Sequence, residues 1–456
     1  MNTFRITDGT TTISLLGGSP ILGVTYVPDA PSPEVARFAS SLMDGDVINA
    51  IARHNVTETV SLVLEGTSTA MESLRTNIQR MMWQAEQRQQ TGTGAIVYVE
   101  YEETSASDIY RSELIGGAVE YASAVARRTR SDSESTVELL IHWERMWYWE
   151  STTETQVATR IKGASSYTVS AKTIRNQETF DANNYGNFVE ISSTGVSGDL
   201  PAPARIVLKN LSLADRALTE YLFFNSWRIQ SYTGGQLWLE LEGGTNATTV
   251  SDATCSAGSK SRNTVNSAGA LDSIPVSALP PAADRLYFLP VIRFSAFTAN
   301  QVWARFGLIS YLHGYADLGV DTEEQLLTNS NDLQIFQAIP VMAKGTLELL
   351  LAMRSEATIT VDGDYLFMAP TDSVRILRTV GLKLVTSGKM IDYGNGVTEL
   401  LDNLDVNYGF VTPLGSPLML MPGTFQRVHF LASGDGSSPF WNFELSLFYR
   451  KRVLVP

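Results

Sequence analysis

The sequence predicts a mainly β protein with one well-defined helix in its first third. Three observations support this fold class. Aromatic residues are abundant, with 17 Tyr, 18 Phe and 8 Trp, and together with Thr and Val they are typical of pleated, half-buried strands. Many short segments alternate apolar and polar residues, as a strand with one buried face does. The clearest helical spacing lies in a single segment that begins near residue 69.

Composition disfavours several classes of function. Asp and Glu total 48 against 34 Lys and Arg, which gives a formal charge of -14. An acidic surface repels phosphate, so stable nucleic-acid binding is disfavoured, although DNA could slide past without adhering. The only cysteine, Cys255, cannot form an internal disulfide, which suits a protein made in a reducing cytoplasm. We expect no signal peptide and no membrane insertion, because no apolar run approaches the roughly 18 residues of a membrane helix.

Residues 1–150 are expected to form one unit that begins with short strands. In the segment Thr57–Leu64, apolar and polar residues alternate at first, which is a strand signal. Further strand candidates before the helix are Thr12–Leu16, Ile21–Val27 and Val47–Ala52.

The helix candidate follows these strands. Thr69 and Glu72 have the spacing of a capping box, in which each side chain satisfies a free backbone N–H of the other residue. Gly92 and Gly94 predict the C-terminal end. Packing against the unit's own sheet is the favoured role of the apolar stripe, ahead of partner binding. The stripe consists of Met71, Leu74, Ile78, Met81, Met82 and Ala85.

Strands resume at 95–102, 110–119 and 137–149. In the last one, Val137, Leu139, Ile141 and Trp143 share one face, while Glu138, His142 and Glu144 occupy the other. We therefore expect one buried face and one face that contacts water or another subunit.

The polar segment 150–156 predicts the first domain boundary. Residues 157–378 contain many short strand candidates with long Ser, Thr, Asn and Gly loops, which favours a large antiparallel β-sandwich, jelly-roll-like in character. Asp362-Gly363 predicts a hairpin tip near residue 363. Residues 379–456 form either a small third unit or the C-terminal strands that close the sandwich.

A search for catalytic, metal and cofactor motifs finds none, so no catalytic residue, metal ligand or cofactor is assigned and no enzymatic activity is expected. His54, His142, His313 and His429 are scattered singly. Carboxylate clusters at 317–324 and 402–405 could hold calcium or hydrolyse glycosides, but solvated loop acids are the favoured interpretation. Cys255 is interpreted as a small loop residue.

One dense aromatic cluster stands out: Trp143, Trp147, Tyr148 and Trp149. Because it lies at the end of a strand beside the predicted boundary, a domain-junction core is the favoured interpretation. Contact with a partner comes second and glycan binding third, since aromatic side chains serve both roles.

The order of elements resembles a known family. Strands lead to an Ala/Met/Gln-rich helix, then to the segment 96–101 (IVYVEY), a hairpin and a long strand ending in aromatics. This order resembles the split-barrel ring domain of siphophage distal tail proteins and their tail-tube relatives. The segments 198–208, 418–423 and 447–452 look like parts of the β-sandwich of long phage tail proteins.

The resemblance implies an N-terminal split β-barrel, with one packed helix, that closes into a hexameric ring between the tail tube and the tip. The sandwich would project outward. The implied partners are identical copies, tail-tube proteins and tip or hub proteins, with DNA passing through an acidic lumen. The implied location is the virion tail, after synthesis in the host cytoplasm. Alternatives are a carbohydrate-binding adhesin that contacts host glycans and a tail-tube protein with a decoration domain; a glycan-cleaving enzyme is the third hypothesis.

Overall fold

The structure is a computed structural model that describes most of the chain. The described residues are 1–39, 46–104, 108–122, 135–162, 164–175, 186–216, 220–225, 227, 238–252, 255, 258–276, 286–312, 315–328, 333–341, 346–379, 381–433 and 442–456. Within these ranges the chain is mainly β, with several antiparallel sheets, and no sheet closes into a barrel. The predicted fold class, mainly β with one packed helix, is confirmed. No helix in the described ranges has the length and apolar character of a membrane span.

The chain divides into two compact units. The first contains Met1–Thr155, Gly198–Leu200 and Arg450–Pro456, and the second contains Gln156–Ser197 and Pro201–Tyr449. The polar segment expected to mark the first boundary forms a strand, Trp149–Gln156, and the division falls inside it. Of the segment 379–456, residues up to Tyr449 belong to the second unit and those from Arg450 belong to the first.

The first unit contains an antiparallel sheet with a helix packed on it, and a separate two-stranded sheet. Its strands are β1 (Thr3–Thr7), β2 (Thr12–Ser14), β3 (Ile21–Thr25), β4 (Pro33–Ala39), β5 (Asp46–Arg53), β6 (Val56–Gly66), β7 (Tyr98–Glu102), β8 (Tyr110–Tyr121), β9 (Ser135–Arg145) and β10 (Trp149–Gln156). The sheet order is β3-β6-β9-β8-β7-β1-β2, with β10 also beside β8, while β4 and β5 pair only with each other.

Helix α1 (Ser68–Thr91) covers the buried face of this sheet. The predicted stripe is confirmed for all of its members except Leu74, which is half-buried, and Gly92 ends the helix in the left-handed conformation. The capping prediction was wrong by two residues. Thr67 is the N-cap and accepts a hydrogen bond from the Ala70 backbone N–H (3.3 Å), whereas Glu72 binds Arg75 on the helix surface.

The second unit is built from further antiparallel strands. They are β11 (Thr159–Arg160), β12 (Lys172–Ile174), β13 (Phe188–Ile191), β14 (Ala202–Asn210), β15 (Glu220–Asn225), β16 (Trp238–Glu240), β17 (Thr248–Ser251), β18 (Ser259–Val265), β19 (Ala270–Val276), β20 (Leu286–Ala296), β21 (Val302–Leu312), β22 (Tyr315–Asp321), β23 (Gln325–Leu326), β24 (Leu333–Ile335), β25 (Ile339–Val341), β26 (Thr346–Ser355), β27 (Ile359–Pro370), β28 (Val374–Arg378), β29 (Lys389–Asp392), β30 (Thr398–Leu401), β31 (Asn407–Phe410), β32 (Thr412–Gly415), β33 (Met419–Leu420), β34 (Gln426–Ala432) and β35 (Phe443–Val453). Short 3-10 helices lie at Leu241–Gly243 and Thr371–Ser373.

Two sheets form the base sandwich of this unit. One has the order β35-β14-β29-β30-β31, and the other has the order β11-β13-β34-β15-β28-β32. Tyr221, Phe223, Val428 and Phe430 from the second sheet meet Ile206 and other residues of the first in a common core. Alternating apolar side chains from facing sheets therefore hold the sandwich together.

Strands β16 to β27 form an insert between β15 and β28. They build two more sheets, β17-β18-β27-β20-β24 and β19-β26-β21-β22. Leu222, Phe224 and Leu431 of the base sandwich point into the core of this insert. The sheet that carries β15 and β34 is therefore covered on both faces, which explains why Tyr221–Asn225 is buried throughout.

Candidate interaction surfaces of the first unit

Strands β6 and β9 give the first unit one apolar and one acidic side. Val60, Leu62, Leu139 and Ile141 are fully buried, as the alternation predicted. On the opposite side, cross-strand pairing aligns Thr59 with His142 and brings the other outward residues into rows. We call this side the acidic face. Its charged members are Glu65, Glu120, Glu138 and Glu144.

Three carboxylates of the acidic face, Glu120, Glu138 and Glu144, have polar side-chain partners. Ser61 donates to Glu138 (2.6 Å), and Asn55 donates to Glu144 (3.0 Å). His142 lies between Thr59 (2.9 Å) and Glu120 (3.3 Å). Among the described outward residues of β6 and β9 there is no lysine or arginine, so the face keeps its negative charge and repels phosphate at short range.

The sheet has a free edge at each end of its strand order. Within the described part of the chain, β3 pairs only with β6 and β2 pairs only with β1. Leu22 on β3 has 62 % of its surface exposed. Unpaired backbone N–H and C=O groups on such strands are a template for pairing with another chain.

Helix α1 covers a third edge, where β8 extends past β7. The backbone N–H groups of Gly117 and Val119 donate to Glu86 (3.3 Å) and Gln79 (3.0 Å) of the helix. A Cβ atom at Gly117 would lie 2.3 Å from the carbonyl oxygen of His142 and 3.1 Å from Sδ of Met82. Glycine is therefore required for this close approach.

A buried ionic centre connects the segment that follows β3 with strands β6 and β9. Glu58 accepts hydrogen bonds from Tyr26 (2.8 Å), from Trp143 Nε1 (2.9 Å), and from Arg145 Nε and Nη2 (3.0 and 2.6 Å). The Asp29 backbone N–H donates to the same carboxylate (2.8 Å). Glu58 and Arg145 are 3 % and 0 % exposed. Burial and the nearby Glu58 raise the pKa of Tyr26 well above its usual value, so its hydroxyl remains a donor.

The predicted aromatic cluster is divided between core and surface. Trp143 and Trp149 are buried in the core of the first unit, where Arg145 stacks on Trp149 at 4.5 Å. Trp147 and Tyr148 are half-buried at the surface, with ring centroids 5.3 Å apart. Of these four cluster residues, only Trp147 and Tyr148 are partly exposed, and their contact with a partner or a glycan stays a prediction.

Tyr148 belongs to a ladder of aromatic and ionic groups, which we call the Tyr98–Tyr148 ladder. Arg111 stacks on Tyr98 (4.4 Å) and donates to Glu150 (3.2 Å). Arg452 donates to the same carboxylate (3.2 Å) and stacks on Tyr148 (4.2 Å). Burial raises the pKa of both tyrosines. Sequence analysis missed the ladder, because Arg452 lies far along the chain and only the fold brings it to β10.

Three of the loop carboxylates considered in the sequence have structural partners. Glu324 pairs with Arg354, and Asp405 pairs with Lys389. Asp402 accepts backbone hydrogen bonds from Leu404 and Val406. In the described ranges no group of three or more His, Cys, Asp or Glu side chains could hold a metal ion.

The cysteine and the remaining histidines lie in different environments. Cys255 is buried, and burial raises the pKa of its thiol. His429 is buried and stacks on Phe224, with ring centroids 4.5 Å apart. His54 pairs with Glu34 at the surface, and His313 lies outside the described residues.

Comparisons with known proteins give distant matches only. No protein-family model and no curated protein sequence matches the chain. The Dit protein of phage SPP1, described as a paradigm of the hub adsorption apparatus in phages that infect Gram-positive bacteria, is 6 % identical with a TM-score of 0.32; the match covers 99 % of both chains. A chain of the activated phage p2 baseplate is 9 % identical with a TM-score of 0.23, over 77 % of this chain and 98 % of that one.

A third structure is an exo-β-1,3-galactanase from Phanerochaete chrysosporium bound to β-1,3-galactotriose. It is 12 % identical with a TM-score of 0.20, and the match covers 71 % of this chain and 87 % of that one. The identities and TM-scores are too low for any of these matches to carry an argument about fold or function.

Proposed function

We propose that this protein is a structural component of a bacteriophage tail, a distal tail ring protein that joins the tail tube to the tip and supports the host-attachment parts. The observation that carries the proposal is the geometry of the first unit: an open antiparallel sheet whose outer strands, β3 and β2, each have an edge with no pairing partner among the described residues. The element order that resembles phage ring domains, from β6 through α1 to β9, supports the same assignment.

Two different edges would allow identical copies to close into a ring. When the β3 edge of one copy pairs with the β2 edge of the next, the contact is head-to-tail, and head-to-tail contacts form a ring if the rotation closes. Edge pairing also satisfies backbone groups that would otherwise invite uncontrolled association. The hexameric copy number comes from the family resemblance.

The acidic face supports a lumen that DNA can cross. Its four glutamates repel the phosphate backbone, so a sheet face of this kind lets DNA move past without adhering. The role proposed is not catalytic; of the loop carboxylates considered in the sequence, Glu324, Asp405 and Asp402 are engaged by Arg354, Lys389 and backbone N–H groups.

Edge pairing is tested on the purified full-length chain by mass photometry and negative-stain imaging. We expect rings near 300 kDa, for six copies of a 50.0 kDa chain. Leu22→Lys places a charge on the β3 edge and should shift the population to monomers. Leu213→Lys is the matched control, because Leu213 is fully exposed in the second unit. A strict monomer at high concentration, or equal behaviour of the two variants, would count against the proposal.

The lumen is tested by charge reversal. Glu138→Lys combined with Glu144→Lys should make assembled rings retard DNA on native gels, more strongly at low salt. The control reverses Glu323 and Glu356, which are exposed in the second unit. If both double variants bind DNA equally well, the acidic face does not line the DNA path.

A further inference from the structure

The turn between β29 and β30 contains the only Asn-Gly pair in the sequence, Asn395-Gly396. The Tyr393 N–H donates to the Val397 carbonyl oxygen (3.0 Å) and closes the turn. Asn395, Gly396 and Val397 are exposed. Water therefore reaches both the amide side chain and the peptide bond that follows it.

The side chain of Asn395 is held beside the Gly396 peptide unit. Its Oδ1 atom accepts a hydrogen bond from the Val397 N–H (3.1 Å). When a nucleophile attacks Cγ of an amide, negative charge develops on the amide oxygen. Here the Val397 N–H already points at that oxygen and stabilises the developing charge.

The backbone nitrogen of Gly396 is available as the nucleophile. Within the described part of the chain its N–H has no hydrogen-bond acceptor, so no hydrogen bond must break before it reacts. Gly396 has a φ of 91°, and a Cβ atom at this position would meet nothing within 4 Å. The backbone is therefore open here, and an attack within one chain has the advantage of proximity.

We propose that Asn395 is a site of spontaneous covalent modification, a deamidation that passes through a cyclic imide. The Gly396 nitrogen forms a bond with Cγ of Asn395, the N–H proton passes to water, and the side-chain nitrogen leaves as ammonia. Water then opens the five-membered imide at either of its two carbonyl groups. One opening gives aspartate, and the other gives isoaspartate, whose main chain runs through the former side-chain methylene group. The sum is amide plus water to carboxylic acid plus ammonia, without an oxidant or a reductant.

Asn266 offers a matched comparison within the same chain. Its Oδ1 atom accepts from the Ala268 N–H (2.9 Å), the same arrangement as at Asn395, but the next residue is Ser267. The Cβ atom of Ser267 restricts the backbone and crowds the ring closure, whereas glycine does neither. The residue that follows the asparagine therefore distinguishes the two sites.

Asn210 represents the opposite extreme. It is fully buried, and its Nδ2 atom donates to the carbonyl oxygens of Ala214 and Leu384 (both 3.1 Å). Its Oδ1 atom accepts from the Ser212 N–H (2.9 Å). An amide fixed in this way, away from water, should not react.

The reaction has a structural consequence because both ends of the turn are anchored. Arg375 forms two hydrogen bonds with the buried Asp392 (2.7 and 2.8 Å). Asp392 also accepts from the Gly394 N–H (3.2 Å) and from Thr398 Oγ1 (3.0 Å). Aspartate keeps the length of the turn, but isoaspartate adds one main-chain carbon between Gly394 and Thr398. Isoaspartate should therefore loosen these hydrogen bonds and the adjoining ends of β29 and β30.

The test stores the full-length chain in neutral and in mildly alkaline buffer and follows it by peptide mapping with mass spectrometry. We expect Asn395 to be modified about tenfold faster than Asn266, with Asn210 unchanged. Both products should form, and the rate should rise with pH because the attacking nitrogen must lose its proton. Asn395→Gln should prevent the reaction at this position, since its longer side chain cannot close a five-membered ring. Ser267→Gly should raise the rate at Asn266 toward that at Asn395.

Hydrogen exchange on the stored samples reports the consequence. Peptides that cover β29 and β30 should exchange faster after storage of the natural chain and should remain unchanged after storage of Asn395→Gln. The inference is overturned if Asn395 reacts no faster than Asn266, if aspartate forms without isoaspartate, or if Ser267→Gly leaves Asn266 unchanged. Equal exchange in the stored natural chain and stored Asn395→Gln would overturn the structural consequence. The reaction does not depend on ring formation, which is measured separately.

Discussion

Replacing Glu58 by leucine tests whether the buried ionic centre holds the first unit together. The substitution leaves the Arg145 guanidinium, which is fully buried, without its counter-charge. Removing one member of a buried pair costs about 3–5 kcal/mol. Tyr26 and Trp143 also lose their acceptor, at about 1–3 kcal/mol for each donor left unsatisfied. These costs overlap because the donors share one carboxylate, so we expect a total of about 5 kcal/mol, comparable with the whole stability of many domains.

The assay must resolve the two units, since a multidomain chain does not unfold in one step. Hydrogen exchange followed by mass spectrometry gives the opening free energy of peptides from Met1–Thr155 separately from the rest. Glu65→Leu, at an exposed position on the same strand, is the control and should change that free energy by less than about 0.5 kcal/mol. Combining Glu58→Leu with Arg145→Leu should recover part of the loss, because it removes the stranded charge. A cost below about 1 kcal/mol for Glu58→Leu alone would refute this reasoning.

Three further changes have defined outcomes. Gly117→Ala should destabilise the first unit by about 2 kcal/mol, because its Cβ would lie 2.3 Å from the His142 carbonyl oxygen. Gly23→Ala is the control and should leave the stability unchanged, because its Cβ would meet nothing within 4 Å. Equal hydrogen-exchange rates for the two variants would contradict this prediction. Burial lowers the pKa of His429 from 6.5 to about 3, so the unfolded chain binds a proton first as the pH falls. The contribution of His429 to the free energy of unfolding is therefore fully present above pH 6.5 and falls as the pH drops toward 3, by about 3 kcal/mol at about pH 4. His429→Phe should show a smaller loss of stability in acid, and an unchanged acid unfolding curve would contradict the assignment. Trp147→Ala should cost the first unit less than about 1 kcal/mol, and a loss above about 3 kcal/mol, as for a core tryptophan, would contradict its surface position.

Local periodicity predicted the elements whose faces are unambiguous. The stripe from Met71 to Ala85 and the alternation of β9 both depend on a single buried face, so the sequence pattern reports burial directly. The capping residue was misplaced because Thr67 and Thr69 offer similar hydroxyls near the helix start, and only the backbone conformation selects between them.

Elements that depend on distant partners could not be predicted in this way. Asp362-Gly363 is not a hairpin tip but lies inside β27, next to a register shift opposite Phe294. A Cβ atom at Gly363 would lie 2.6 Å from Cδ1 of Leu241, so the glycine serves a close approach within the insert. The insert itself could not be predicted from the sequence either. A strand that is buried on both faces has a continuous apolar run, whether the segment packed on its second face is near or distant in the chain.

The candidate surfaces show the same difference between local patterns and contacts of distant segments. Glu138, His142 and Glu144 could be assigned to one outward face from alternation alone. The Tyr98–Tyr148 ladder required the fold, because Arg452 and Glu150 are far apart in the chain and meet only in the folded unit.

The way the insert leaves and rejoins the base sandwich has a practical consequence. Phe224 on β15 and Val374 on β28 are direct cross-strand partners. The connection between them could therefore be shortened to a turn without changing the register of the two strands. A different module could therefore be grafted at this junction while the base sandwich keeps its strand pairing. Any replacement must bring its own apolar lid, because Leu222, Phe224 and Leu431 would otherwise be left open to water.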